Sequence, residues 1–94
     1  MKDAYQLVAM LVHGGCQAPF RRENQVVIPE EMDAEGQVAK WIELAADASG
    51  NLVVRYCPGV PTLNTFEYPG PVNLDEILEM ALRAWTSQPH FGSL

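Results

Sequence analysis

Apolar side chains recur at helical spacing near both ends of the chain, and in the middle they run together or alternate as strands do. At the N-terminus Ala4, Leu7, Val8 and Leu11 fall on one helical stripe, widened by Tyr5 and Val12. Asp3 stands where an N-cap is wanted, Gln6 three residues on completes a capping box, and Gly14 supplies a helix-ending residue. The pattern predicts a helix from Lys2 to His13, with a buried strand as the competing reading of so short an apolar run. Near the C-terminus Asn73 caps a longer run, with Glu76 at the capping-box position. Leu74, Ile77, Leu78, Ala81, Leu82 and Trp85 give that run a broad apolar face.

Between these helices the elements are shorter. Cys16–Asn24 reads as a loop holding Pro19, Phe20 and the pair Arg21-Arg22, and Gln25–Ile28 as a strand stopped by Pro29. From Pro29 the spacing turns helical. Pro29 suits the first helical position, Glu30 and Glu31 complement the positive helix end, and Val38, Trp41, Ile42, Ala45 and Ala48 share one face before Ser49-Gly50-Asn51 closes the run. Gly36 weakens the start of this helix, and Asp33 is an alternative cap. Leu52–Cys57 is strand-favouring, Pro58-Gly59-Val60-Pro61 turns the chain, and Thr62–Tyr68 returns as the partner of an antiparallel hairpin. Pro69-Gly70-Pro71 breaks that strand. The predicted order is α-β-α-β-β-α, a small two-layer α+β domain with an antiparallel β-hairpin packed against amphipathic helices. Residues 1–86 form the domain and 87–94 a C-terminal tail, with no internal repeat.

Composition supports a packed core: 94 residues, 48% hydrophobic and 19% charged, are too apolar for a disordered chain. The longest apolar run, Leu7–Val12, is far short of the roughly 18 residues a membrane span needs. It ends at His13-Gly14-Gly15 with no small-x-small cleavage pattern, so it reads as mature structure rather than a signal peptide. Twelve acidic residues against six basic ones give a net charge of −6. The single basic pair, Arg21-Arg22, is followed directly by Glu23, which speaks against direct binding of nucleic acid or of an anionic membrane.

Candidate chemistry is sparse. His13-Gly14-Gly15-Cys16 has the residue types of an activated thiol, but a helix C-terminus raises a thiol pKa instead of lowering it. His13, Cys16, Cys57 and His90 contain only one closely spaced pair, whereas structural zinc sites present two, so no metal and no cofactor are expected. Cys16 and Cys57 read as reduced thiols of a cytoplasmic protein. Glu31 and Glu35, Glu43 and Asp47, and Asp75 and Glu79 are pairs four apart that read as solvated helix faces. Trp41 and Trp85 read as core anchors. No phosphate-binding glycine loop and no nucleophile elbow appear.

The expectation is therefore a small acidic, non-enzymatic protein that binds another protein with a basic surface. Stoichiometric inhibitors, adaptors, phage or mobile-element inhibitors and immunity-type proteins fit this type. The expected partner-binding residues are Glu30, Glu31, Asp33 and Glu35, with Asp75, Glu76 and Glu79. A different class of reading is a small-molecule-binding or cysteine-dependent module whose site forms at a homodimer interface from His13, Cys16 and Pro19–Arg22. A third is a structural subunit of a larger assembly.

Overall fold

The computed structural model describes residues 3–88. In chain order these are α1 (Ala4–Val12), β1 (Phe20–Arg22), β2 (Gln25–Met32), β3 (Val38–Ala46), β4 (Leu52–Cys57), the single turn α2 (Pro61–Asn64), β5 (Thr65–Tyr68) and α3 (Leu74–Ser87). The five strands form one antiparallel sheet in sequence order, β1-β2-β3-β4-β5, so every strand pairs with its neighbour in the chain. Both long helices pack on the same face of this sheet, making an α+β domain of two layers. Among the described residues no helix is long and apolar enough to cross a membrane.

The terminal helices follow their predicted caps. The Asp3 carboxylate accepts from the Gln6 backbone N–H at 2.8 Å, while the Gln6 side chain accepts from the Asp3 N–H at 3.1 Å. Asn73 likewise accepts from the Glu76 N–H at 2.9 Å. The predicted apolar stripes become Ala4, Val8 and Val12 from α1 and Ile77, Ala81 and Ala84 from α3, all buried. They close over Val26, Ile28, Ile42, Leu44, Leu52 and Val54, with Trp85 partly buried against this core. Ile28, Ile42, Leu44, Leu52 and Ile77 are almost wholly enclosed, so truncating any one to Ala costs about 2–5 kcal/mol.

The helix predicted from Pro29 to Ala48 does not form; that stretch is β2, a hairpin turn and β3. Ile42, Leu44 and Ala46 face the helices while Trp41, Glu43 and Ala45 face away, and a segment apolar in both phases satisfies either period. The turns decide the outcome. Asp33-Ala34-Glu35-Gly36-Gln37 and Asp47-Ala48-Ser49-Gly50-Asn51 are the same loop built twice. In each, the Asp carboxylate accepts from the backbone N–H groups two and four residues on, all at 2.9 Å. Each loop places its glycine at positive φ, 80° for Gly36 and 83° for Gly50, where a side chain is strained. This short recurrence is a repeat that the sequence reading missed.

Pro29 does not end its strand. A strand residue's N–H and C=O point to the same side, and the Pro29 C=O accepts from the Cys16 N–H at 2.8 Å, on the side where β1 has already stopped. The missing proline donor therefore leaves no ladder bond unmade. The predicted loop Cys16–Asn24 contains the short edge strand β1, turned onto β2 through Glu23, whose φ is 55°. The strand predicted over Thr62–Tyr68 begins only at Thr65, after α2. Of the predicted tail, only Ser87, which closes α3, and Gln88 lie within the described residues.

Candidate functional site

Among the described residues no helix covers the second face of the sheet, and on it lies their most heavily hydrogen-bonded side chain. Register places Val27, Glu43 and Arg55 side by side across β2, β3 and β4, with Pro29, Trp41 and Cys57 in the next row. Glu43 is 6% exposed. Its Oε2 accepts from Arg22 Nη2 and from Trp41 Nε1, each at 2.9 Å. Its Oε1 accepts from Arg55 Nε at 3.0 Å and from Arg55 Nη2 as well. Arg22 also stands over the Trp41 ring, 5.9 Å from the ring centroid. Burial pushes the Glu43 carboxyl upward, but the bonds from Trp41 and Arg55 and the charges of Arg55 and Arg22 outweigh it. The net pKa lies below the ordinary glutamate range. The bond to Glu43 in turn raises Arg55.

The sequence reading placed Glu43 on a solvated helix face with Asp47, and it counted Trp41 as a core anchor; neither holds. The signal for the cluster is the alternation Trp41, Glu43, Ala45, legible only once this segment is known to be a strand. Cys57 borders the cluster, where burial and then the Glu43 charge raise its thiol pKa, the reverse of an activated nucleophile. Cys16 is exposed and both thiols are free. Cys16 lies beside Pro29, which pairs with Trp41, which pairs with Cys57. Three strand spacings, roughly 14 Å, thus separate the two cysteines, far beyond disulfide reach. Among the described residues no three His, Cys, Asp or Glu side chains are grouped to hold a metal, and His90 lies outside them.

The seven acids expected to meet a partner divide between the ends of the sheet. Glu30 and Glu31 close β2, and Asp33 and Glu35 belong to the β2–β3 turn, not to a helix. Asp75 and Glu76 open α3 at the opposite end, where Asp75 pairs with Arg21 at 2.8 Å and Glu76 accepts from the Tyr5 hydroxyl at 2.5 Å. Glu79 follows one turn on and pairs with Arg83 at 2.6 Å, and Glu31 pairs with Lys40 at 3.5 Å. All five described Lys and Arg side chains are thus engaged with carboxylates of the chain itself. Glu30, Asp33 and Glu35 are in no ion pair formed by these cations.

Apolar exposure concentrates at the same end as the β2–β3 turn. Cys57, the last residue of β4, pairs with Trp41 near the start of β3, so the segment from Pro58 to Asn64 emerges beside that turn. Leu63 there is 74% exposed and Val60 56%. Next to them, Tyr56 and Phe66 meet edge to face with ring centroids 5.8 Å apart. With Leu7 and Leu11 of α1 they line a groove of about 290 Å³ along the edge strand β5. Comparison with protein-family models, with curated proteins and with solved structures returned no match for this chain.

Proposed function

We propose that this chain is a binding protein that acts by stoichiometric association with a partner protein in the cytoplasm, as an inhibitor or adaptor rather than a catalyst. The observation that carries the reading is the pairing, at one end of the sheet, of the exposed apolar residues Val60 and Leu63 with the acidic turn 30–35. An apolar contact rimmed by charge is the usual anatomy of a protein interface. Because the described cations are spent on internal pairs, the free charge at this end is negative, and the surface it fits is basic.

The test is affinity purification of the tagged chain from its own host beside two variants, Leu63→Asp and Glu31→Lys/Glu35→Lys, each first checked by thermal melting. The expected result is one partner recovered near one-to-one with the native chain and lost or weakened with both variants. Recovery of no near-stoichiometric partner, or of the same partner at equal yield with both variants, overturns the reading.

A further inference from the structure

The charge of the Glu43 cluster does not cancel. Arg21, Lys40 and Arg83 each face one carboxylate, but Glu43 is shared by two guanidinium groups, which leaves this cluster itself with a surplus of one positive charge. Glu43 has all four of its acceptor positions filled. Arg22 gives it only one of its donors, and its side chain remains 50% exposed. It also borders a cavity of about 260 Å³ whose other lining residues are Phe20, Trp41, Val27, Val38 and Gln37 of the β2–β3 turn. Phe20 is itself 41% exposed, on an edge strand of three residues. Two aromatic residues and a guanidinium with donors to spare therefore border one small hollow.

We propose that this hollow binds a small, flat organic carboxylate, with the carboxylate group on the free donors of Arg22 and the ring of the ligand against Phe20 and Trp41. The guanidinium fork matches a carboxylate in two-point geometry, and its central carbon already lies 5.9 Å from the centroid of the Trp41 ring. The volume lies just under the range of drug-sized pockets, about 300–1,000 Å³, so the ligand has one or two rings. Of the acids beside the hollow, Glu43 is held by Arg22, Arg55 and Trp41 and Asp33 by backbone N–H groups including that of Gln37, while at physiological salt charges beyond about 8 Å are screened. The hollow adjoins the proposed protein interface at the β2–β3 turn, through Gln37, but none of its lining residues is changed in the test of that interface, so the two readings fail separately.

The probe is 2-naphthoate, titrated into the full-length protein and followed through the amide signals of Phe20, Arg22 and Trp41 and the Trp41 indole N–H. Its uncharged analogue 2-naphthalenemethanol is the control. Saturable shifts confined to these residues are expected, with the neutral analogue and Arg22→Gln each weaker by about tenfold or more. Arg22→Gln leaves Glu43 with Arg55 and Trp41. Phe20→Ala removes one wall without touching the ion cluster and is expected to weaken binding severalfold. Absence of saturation by about 10 mM overturns the proposal, as does equal binding of the neutral analogue or of a folded Arg22→Gln chain.

Discussion

Replacing Glu43 by Gln removes one charge and nearly no volume, from the most protected acidic side chain described. In the native chain four N–H donors converge on its two oxygens. Glutamine keeps one acceptor oxygen and sets an amide nitrogen against guanidinium donors, so at least one charge-assisted bond is lost. Hydrogen bonds to charged groups contribute about 1.5–3 kcal/mol each. The Arg22 and Arg55 side chains are 50% and 36% exposed and rehydrate when released, which discounts the loss. The expected destabilisation is about 2 kcal/mol, or a fall in Tm of roughly 8–16 °C for a domain of this size. Urea unfolding measures it directly, with an unchanged m-value showing that the native and unfolded states are otherwise the same. The difference also depends on pH. Glu43 has a lower pKa folded than unfolded, so its stabilising effect is complete above the ordinary glutamate value of about 4.3 and is lost as pH falls below it. Wild type and Glu43→Gln therefore differ at neutral pH and converge in acid. A Glu43→Gln chain within about 0.5 kcal/mol of wild type at pH 7 refutes this account of the cluster.

Four further outcomes follow from the same contacts. Glu31→Lys/Glu35→Lys removes no helix-end charge, because no helix starts there, and gives up only the exposed Glu31–Lys40 pair, so melting shows a loss of about 1 kcal/mol or less while stopped-flow association with the partner slows and loses salt dependence. Gly36→Ala and Gly50→Ala each cost about 1–2 kcal/mol in urea unfolding, since both glycines sit at positive φ and the added Cβ meets nothing closer than 3.7 Å. Trp85→Ala strips a side chain packed against the core and lowers stability by about 3 kcal/mol or less, readable by calorimetry. Cys57, its thiol pKa raised by burial and the Glu43 charge, reacts with iodoacetamide at pH 8 several times more slowly than a thiol in an unfolded peptide.

The terminal helices were legible because their caps and their apolar stripes agree: Asp3 with Gln6, and Asn73 with the Ile77 and Ala81 face. The β4–β5 pairing was legible from β-branched residues flanking a proline turn. The middle of the chain was not. Val38, Trp41, Ile42 and Ala45 fit a helix by spacing, and the competing information lay in the two Asp-Ala-x-Gly turns. Reading Gly36 as a weak point in a helix, instead of as a residue needed at positive φ, hid β2 and β3 together. That error also concealed the Glu43 cluster, because the neighbours of Glu43 are set by cross-strand register and not by sequence distance. The acidic residues were visible from the start, but their division between opposite ends of the sheet depends on the topology.

The strictly sequential strand order has a bearing on how the chain reaches this state. Each strand pairs with the one just before it, across loops of a few residues, so the sheet can zip up by successive hairpin closures at small entropic expense. The helical layer is different. α1 and α3 come from opposite ends of the sequence yet lie against each other, linked by Tyr5 and Glu76 seventy-one positions apart. Its assembly needs one element from before the sheet and one from after it, so the apolar face is not fully covered until α3 is in place. During synthesis α3 emerges after all five strands, so a nascent meander holds part of that face open until α3 arrives, an interval of exposure to aggregation or chaperone capture.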